Sequence, residues 1–373
     1  MVYRRMIGAR ALHNRERSGK TYMVRFGIVG FGLHAVRRLM PGFARARNCK
    51  VVALSRSTMD KANASAAEYG IPLAFDDVEA LCQSDQVDAV LVTTPNAMHL
   101  ADVLAALRNG KPVLCEKPMG MNAGECQQMV EAAQRAHLLL GVAQVFRFEE
   151  STAALRRRLA EGQIGNPVFA RAEFSFWHKD AKRKWLTDPA LAGGGPIADI
   201  GVHCIDALRY ILQDEVVRVN ARGMWDRDSG GVEAAAALTL DFARGTIGTV
   251  LVSMRAQYRT PMEFVGPLGS LQAEDALNVE RPITIELRQN HATVESETVE
   301  NFDAYARQVD AFADAVRGVA AFPVPGDQGW QNQEILDAAF RSLQTGKTED
   351  VPQVVMTSGS AEEVGHVAVG ESR

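Results

Sequence analysis

Residues 24–35 read VRFGIVGFGLHA, and this stretch sets the architecture of the first third of the chain. Its first six residues form the apolar run of a buried β-strand. The next six form a G-x-G-x-x-A pattern, in which glycines let the backbone turn tightly and approach a pyrophosphate at the N-terminus of a helix. Because a strand precedes the pattern and another follows at residues 51–54, it predicts a dinucleotide-binding domain.

The end of that second strand bears on the choice of cofactor. A domain specific for NAD usually carries an acidic residue about 20 residues beyond the glycines, where it binds the ribose 2′-hydroxyl. This chain has Ser55 and Arg56 there instead. No acid repels a 2′-phosphate, and an arginine can pair with one. We therefore expect NADP to be favoured over NAD; the alternative is that Arg56 covers the adenine or lies in solvent.

Strands and helices alternate through the rest of this region. The pattern predicts strands at 51–54, 88–92, 112–115 and 138–143, and helices at 61–69, 100–108 and 122–136. This alternation is typical of an α/β fold with a doubly wound parallel sheet, a Rossmann domain. Ligands of such sheets lie beyond the carboxyl ends of the strands. The predicted cofactor-binding residues at those ends are Gly30, Phe31, Gly32, Leu33, Ser55, Arg56, Thr94, Pro95, Asn96, His99, Glu116 and Lys117.

A second polar stretch lies in the other half of the chain. Residues 193–206 read GGGPIADIGVHCID, with three glycines as a flexible approach and Asp199 four residues before His203. On an α-helix both side chains would share one face, with Cβ atoms about 5–6 Å apart. The carboxylate would raise the pKa of the imidazole and orient it as a base. Taken alone, the spacing favours a capping aspartate and a structural histidine; the upstream motifs favour a proton-transfer pair.

Together these motifs resemble the glucose-fructose oxidoreductase/inositol dehydrogenase (Gfo/Idh/MocA) family. The resemblance covers about residues 24–350, and its motifs are GIVGFGLHA at 27–35, TPN at 94–96 with His99, GKPVLCEKP at 110–118, D-x-G-x-H-x-x-D within 199–206 and RSLQTGK at 341–347. It implies a Rossmann domain followed by an α/β domain with a large, mostly antiparallel sheet. It also implies hydride transfer between a nicotinamide and a hydroxyl-bearing carbon, usually of a sugar or cyclitol.

The resemblance carries catalytic roles to three residues. Lys117 matches the family's active-site lysine, and Asp199 and His203 match its acid and histidine. His203 suits the base that takes the hydroxyl proton, and Lys117 would stabilise negative charge on the same oxygen. Asp199 would orient His203 or bind a neighbouring hydroxyl. We expect an NAD(P)-dependent dehydrogenase or reductase; an NAD-dependent glycosidase and a catalytically silent NAD(P)-binding regulator are the alternatives.

A basic loop precedes the glycine run. Residues 178–185 read HKDAKRKW. One hypothesis is that Lys182, Arg183 or Lys184 recognises a phosphate or carboxylate of the substrate. The interpretation that the sequence favours is a solvated lid over the pocket. Trp185 is a candidate substrate-binding residue, as an apolar wall against a sugar ring, or it is ordinary packing.

The second domain is expected at residues 144–350, after a first domain at 23–143. Its pattern predicts strands at 167–177, 216–225, 232–242, 245–255, 262–266 and 270–273, and helices at 150–161, 304–317 and 330–344. A large sheet with helices on one face leaves the other face to be covered. The family resemblance implies that dimerisation covers it, so we expect a homodimer or homotetramer.

Composition narrows the class of protein. The chain has 373 residues, 47% of them hydrophobic, and a net charge of -4, which indicates two globular domains and gives no reason to expect nucleic acid or membrane as a partner. No run of about 18 apolar residues predicts a transmembrane helix. Five cysteines form no close metal-type pairs, as in reduced cytoplasmic proteins; no metal is predicted.

The two ends of the chain are expected to lie outside the domains. Residues 1–22 are rich in arginine and almost lack acids. We expect a disordered N-terminal extension there, and the alternatives are an organelle-targeting leader or an upstream start codon before Met23. Residues 351–373 are expected to form a disordered C-terminal tail.

Overall fold

The apolar run at residues 24–29 forms an inner strand of a six-stranded parallel sheet. The computed structural model describes residues 22–178 and 183–354. The strands of the first sheet are β1 (Val24–Val29), β2 (Cys49–Ser55), β3 (Leu73–Phe75), β4 (Ala89–Val92), β5 (Val113–Cys115) and β6 (Leu140–Val142). Their order is β3-β2-β1-β4-β5-β6, and all neighbours are parallel. The predicted Rossmann fold is confirmed, and the strand order reverses between β1 and β4, where such sheets bind their ligands.

Helices connect these strands. They are α1 (Met40–Arg45), α2 (Met59–Tyr69), α3 (Val78–Gln83), α4 (His99–Arg108) and α5 (Ala123–Ala136). Side chains satisfy backbone N–H groups at several helix starts: Asn122, for example, accepts from the N–H of Glu125. Our prediction missed β3 and α3, because three half-buried residues and a six-residue helix give too little periodicity.

Within the described residues the second sheet has ten strands, nine in one path and a tenth paired beside it. The strands of this part of the chain are β7 (Phe169–Trp177), β8 (Val216–Met224), β9 (Ala235–Phe242), β10 (Ile247–Ser253), β11 (Arg255–Arg259), β12 (Met262–Gly266), β13 (Gly269–Ala273), β14 (Ile283–Gln289), β15 (Ala292–Val299) and β16 (Glu349–Asp350). Their order is β15-β14-β13-β12-β7-β10-β9-β8-β16, with β11 paired to β7. β7 and β10 run parallel, and the other described pairs are antiparallel. The predicted mostly antiparallel sheet is confirmed, although β11, β14, β15 and β16 were not predicted.

The later helices join the two domains. They are α6 (Glu150–Ala160), α7 (Pro189–Ala192), α8 (Val202–Leu212), α9 (Ala304–Val316) and α10 (Gly326–Thr345). Helix α9 packs on α1, and α10 packs on both α5 and β8. Phe312 and Phe322 belong to the hydrophobic core of the first domain. The chain thus contributes residues of its last part to the core of the first domain, and the division after residue 143 stays a prediction.

Residues 351–354, which we assigned to a disordered tail, pack against the second domain: the N–H of Val351 donates to the carbonyl of Val217, and Gln353 Nε2 donates to the carbonyl of Val216. Residues 1–21 and 355–373, the rest of the two predicted ends, lie outside the described residues. All five cysteines are buried and unpaired. None of the described helices has the length and apolarity needed to cross a membrane.

Candidate active site

A cavity of about 390 Å³ lies between the carboxyl ends of β4 and β5 and the second domain. The predicted site residues that line it are Thr94, Asn96, His99, Glu116, Lys117, Trp185, Asp199 and His203. The structure thus brings both halves of the predicted catalytic set into one space. The predicted residues that do not line this cavity are Gly30, Phe31, Gly32, Leu33, Ser55, Arg56 and Pro95. These lie at or beside the glycine turn and the end of β2, apart from Pro95, which precedes a short 3₁₀ turn.

Lys117 and Asp199 form the central ion pair of the cavity. Lys117 Nζ donates to the backbone carbonyl of Asp199 at 2.6 Å and to its Oδ1 at 3.3 Å. Burial alone would raise the pKa of Asp199, but Lys117 and Arg183 outweigh it and lower this pKa to about 2. Asp199 is therefore ionised at neutral pH. Its partner is Lys117, whereas the spacing had predicted His203.

The reason lies in the local helix geometry. Residues Ile197–Gly201 form a π-helical turn, and the regular α-helix begins only at Val202. A π turn changes the angular relation between residues four apart, so the α-helical spacing rule does not hold here. Within the described residues, no hydrogen bond joins Asp199 to His203.

His203 is held among aromatic rings. Its ring lies edge-on to Phe146 with 4.6 Å between centroids, and Phe174 is nearly parallel to it at 6.4 Å. Its Nδ1 is buried and has no hydrogen-bond partner among the described residues. Burial, and then the charge of Lys117, lower the pKa of His203 well below its ordinary value, and Asp199 opposes this only in part. Our expectation of a raised imidazole pKa is therefore wrong, and His203 is neutral at neutral pH.

Glu233 fixes the start of the segment that carries Asp199 and His203. Its Oε2 accepts from the N–H of Gly195 at 3.0 Å, and its Oε1 accepts from the N–H of Ile197 at 2.9 Å. The carboxylate thus satisfies two N–H groups that the first helical turn leaves unpaired. The glycine run, which we interpreted as a flexible approach, is instead tightly packed at Gly195. A Cβ built there would lie 2.1 Å from the carbonyl oxygen of Glu233.

Replacing Gly195 with Ala is expected to destabilise the folded protein by about 3 kcal/mol or more, because backbone has to move to admit the methyl group. The measurement is thermal unfolding. The matched control is Gly201→Ala in the same segment, where a Cβ would make only contacts of 3.4 Å or longer. Equal melting temperatures for the two variants would contradict the tight packing described here.

The loops after β4 and β5 are held together by buried polar contacts. The ring nitrogens of His99 lie 3.0 Å from the carbonyl of Pro118 and 2.9 Å from that of Thr94, and the ring is fully buried. Thr94 Oγ1 donates to Asp102 at 2.6 Å, and Asn96 Nδ2 donates to the carbonyl of Ala192 at 2.8 Å. The side chains of His99, Thr94 and Asn96 were predicted to bind cofactor, and these hydrogen bonds hold the loops in place.

Glu116 lies beside Lys117 at the end of β5. Its Oε1 is 2.8 Å from His34 Nε2, and its Oε2 accepts from the backbone N–H of Lys117 at 3.3 Å. Burial alone would raise the pKa of Glu116, but His34 and Lys117 lower it overall. Sequence reasoning missed His34, although a polar residue inside the G-x-G-x-x-A pattern was an available signal.

The glycine turn has the form that a pyrophosphate requires. Gly30 has φ 81°, and a Cβ there would lie 2.6 Å from Thr94 Cγ2. At Gly32, by contrast, a Cβ would meet only the carbonyl oxygen of Gly30, at 3.6 Å, so the backbone there is open to a ligand. Ser55 supports the turn: its Oγ accepts from the N–H of Gly30, and its carbonyl accepts from the N–H of Phe31.

The remaining predicted cofactor residues flank this turn. The ring of Phe31 is buried against Tyr69, with 5.4 Å between centroids, so only its backbone is available to a ligand. Leu33 is half-buried and begins the helical segment of residues 33–45, whose last six residues are α1. Arg56 is half-buried, and its Nη1 donates to Ser65 Oγ at 2.8 Å, which holds the guanidinium beside the end of β2.

Several further cavity residues have no sequence motif. Arg38, Phe146, Phe174, Tyr258 and Tyr305 line the cavity. Phe174 and Tyr305 lie on the predicted elements β7 and α9, but the period of an element does not show which side chains share a pocket. Arg38, Phe146 and Tyr258 lie on a π turn, a 3₁₀ turn and the strand β11, which was not predicted.

Family models and curated relatives both place this chain among oxidoreductases. Residues 24–144 match the family model described as an oxidoreductase family with an NAD-binding Rossmann fold, and residues 152–272 match the GFO/IDH/MocA C-terminal domain. The chain is 31% identical over 334 residues to 1,5-anhydro-D-fructose reductase of Ensifer adhaerens, covering 88% of this chain and 99% of the relative.

Two other relatives are informative. The D-xylose 1-dehydrogenase (NADP(+)) 2 of Haloferax volcanii is 31% identical over 324 residues, covering 86% of this chain and 98% of the relative. The crystal structure of aldose-aldose oxidoreductase from Caulobacter crescentus, complexed with glycerol, superimposes with a TM-score of 0.81 at 26% identity, covering 88% of this chain and 99% of that chain.

Proposed function

This chain belongs to the GFO/IDH/MocA oxidoreductase family, and from that premise we propose that it transfers a hydride between a nicotinamide cofactor and a hydroxyl-bearing carbon of a sugar, cyclitol or related polyol. The observation that carries the proposal is the convergence of Lys117, Asp199 and His203 on one cavity beyond β4 and β5. The names of the relatives, which include a xylose dehydrogenase and an anhydrofructose reductase, support a sugar-type substrate.

The residues present fit a dinucleotide. The open backbone at Gly32 and the helix start after it would hold the pyrophosphate, and Ser55 and Arg56 lie where the adenosine ribose is bound in such domains. When bound, the nicotinamide supplies or accepts the hydride.

The chain's own residues manage the proton. In the oxidation direction, His203 takes the proton of the substrate hydroxyl. Since Nδ1 is buried, Nε2 is the nitrogen that faces the substrate. Lys117 donates a hydrogen bond to the same oxygen and stabilises its developing negative charge. Asp199 holds the Lys117 ammonium in place at 3.3 Å and does not itself accept the proton.

The experiment is a screen of sugars and cyclitols with NAD⁺ and NADP⁺, monitored at the absorbance band of reduced nicotinamide. Net formation of NADH or NADPH is the expected result. Sugar consumed without net reduced cofactor would favour the glycosidase alternative. Cofactor binding without any sugar turnover would favour the silent regulator.

We also propose that NADP is preferred, because Arg56 is held at the end of β2 with no neighbouring acid in that loop. Replacing Arg56 with Ala is expected to lower kcat/KM for NADP⁺ by about 10- to 100-fold, since a charge-assisted pair with the 2′-phosphate is lost. The same change is expected to alter kcat/KM for NAD⁺ less than about threefold, because NAD⁺ lacks that phosphate. Parallel losses with both cofactors would contradict this role.

The uncovered face of the second sheet supports a homodimer or homotetramer. Phe169 and Ile247 are exposed neighbours on β7 and β10, and Val265 of β12 pairs with Phe169 on the other side. Three adjacent apolar side chains on an open sheet face favour association. Light scattering of the native protein and of Phe169→Glu tests this proposal, with a smaller assembly expected for the variant.

A further inference from the structure

The guanidinium of Arg183 differs from the other cations that line the cavity. Lys117 is paired with Asp199, and Arg38 forms an ion pair with Glu280. Arg183 lines the same cavity and is half-buried. Among residues 22–178 and 183–354 it has no ion pair and no side-chain hydrogen bond. A half-buried charge of this kind lacks the partner that would offset its desolvation.

Its neighbours show that this charge acts inside the cavity. After Lys117, Arg183 is the second charge that lowers the pKa of Asp199. Trp185, two residues further along, also lines the cavity, whereas Lys184 between them is exposed and does not. The backbone thus turns Arg183 and Trp185 toward the cavity and Lys184 toward solvent.

The carboxylates that line the cavity form no ion pair with Arg183. Asp199 is hydrogen-bonded to Lys117, Glu116 lies against His34, and Glu280 is paired with Arg38. Each carboxylate therefore has a partner within the cavity wall. A planar guanidinium offers parallel N–H groups that match a carboxylate or phosphate. A hydroxyl of a neutral sugar uses only one of these donors and supplies no charge.

We propose that Arg183 makes the cavity selective for a sugar or polyol that carries an oxyanion, either a carboxylate or a phosphate. The proposal rests on the proposed function, because it names the class of that function's substrate. It narrows the three basic residues that the sequence suggested to one. Lys184 does not line the cavity, and Lys182 lies outside the described residues and takes no part in the argument.

The test measures binding, so that it does not depend on turnover. The dissociation constants of D-glucose, D-glucuronate and D-glucose 6-phosphate are measured by calorimetry with NADP⁺-saturated protein. The variants are Arg183→Gln and, as a matched control, Lys184→Gln. We expect at least one of the two anions to bind wild type about 10- to 100-fold more tightly than glucose, as charge-assisted hydrogen bonds predict.

The arms of the experiment separate the possible outcomes. Arg183→Gln is expected to reduce the ratio of the dissociation constant of glucose to that of the preferred anion to about one. Lys184→Gln is expected to preserve this ratio. Preference for glucuronate assigns a carboxylate, and preference for glucose 6-phosphate assigns a phosphate. Equal binding of all three sugars by wild type, or a preference that survives in Arg183→Gln, overturns the proposal. Failure of the proposed function is recognised separately, as the absence of NADPH formation in the polyol screen.

Discussion

Replacing Lys117 with Met is expected to lower kcat/KM for the sugar substrate by about 10³-fold or more. The ammonium is the cationic donor nearest to Asp199 in the cavity, and it is the group that we propose stabilises negative charge on the reacting oxygen. Methionine keeps most of the side-chain length but removes the charge and the donors. The measurement is steady-state kinetics with the substrate found in the polyol screen, in both reaction directions.

The controls separate chemistry from folding and from cofactor binding. Removing one partner of a mostly buried ion pair is itself destabilising, and the two side chains here are 13% and 11% exposed. Thermal unfolding and NADPH fluorescence titration of Lys117→Met are therefore required, and we expect cofactor affinity to change less than about tenfold. Lys347→Met, at an exposed lysine outside the cavity, is expected to behave as wild type. Full activity in a folded Lys117→Met protein would exclude the proposed role.

The fold was largely predictable because its signals are local. The run before Gly30 is apolar enough to be buried on both faces of a parallel sheet, and β4, β5 and β6 repeat that signal. The short strand β3 was missed because its periodicity is weak, and β15 because both of its faces are largely exposed. Strand β14 does alternate between buried and exposed residues, so its pattern was present in the sequence and was overlooked. The return of α9 to the first domain was not predictable, since amphipathic helices do not specify which core they join.

The sequence predicted the three proposed catalytic residues of the site, but not their pairing or most of the other residues that line the cavity. Lys117, Asp199 and His203 were placed together from motifs, and they do line one cavity. The α-helical spacing rule then paired Asp199 with His203, but the π turn at Ile197–Gly201 and the position of Lys117 decide otherwise. The role of Glu233 was equally hidden, because the chain separates it from Gly195 and only tertiary structure joins them.

Replacing His203 with Ala is expected to lower kcat/KM by about 10²- to 10⁴-fold, the range that general acid–base groups contribute. Exogenous imidazole is expected to restore part of the activity, because removal of the His203 ring leaves a space beside Phe146 that a free imidazole molecule can enter. A purely structural histidine would not show this rescue. The variant needs the same unfolding and NADPH-binding controls as Lys117→Met.

The pH dependence gives an independent measure of His203. Burial lowers its pKa, so His203 stays neutral as the pH falls through about 6.5, the ordinary histidine value. The acid limb of kcat/KM for oxidation is therefore expected below pH 6.5. The same shift has a consequence for stability, because the unfolded chain binds this proton more readily: stability is lost as the pH falls from about 6.5 toward the lowered pKa. An acid limb at pH 7 or above would show that another group carries the proton.

Combining the two changes tests whether Lys117 and His203 act on the same oxygen. If they do, kcat/KM of the double variant is expected to be little lower than that of the less active single variant, because groups that act as a unit have strongly non-additive effects. Multiplying losses would instead indicate separate roles, for example Lys117 on the cofactor ribose and His203 on the substrate.

Replacing Asp199 with Asn tests the third member of the set. It removes the carboxylate that holds Lys117 at 3.3 Å but leaves the Asp199 carbonyl, which accepts from the same ammonium at 2.6 Å. Its loss is therefore expected to be smaller than that of Lys117→Met.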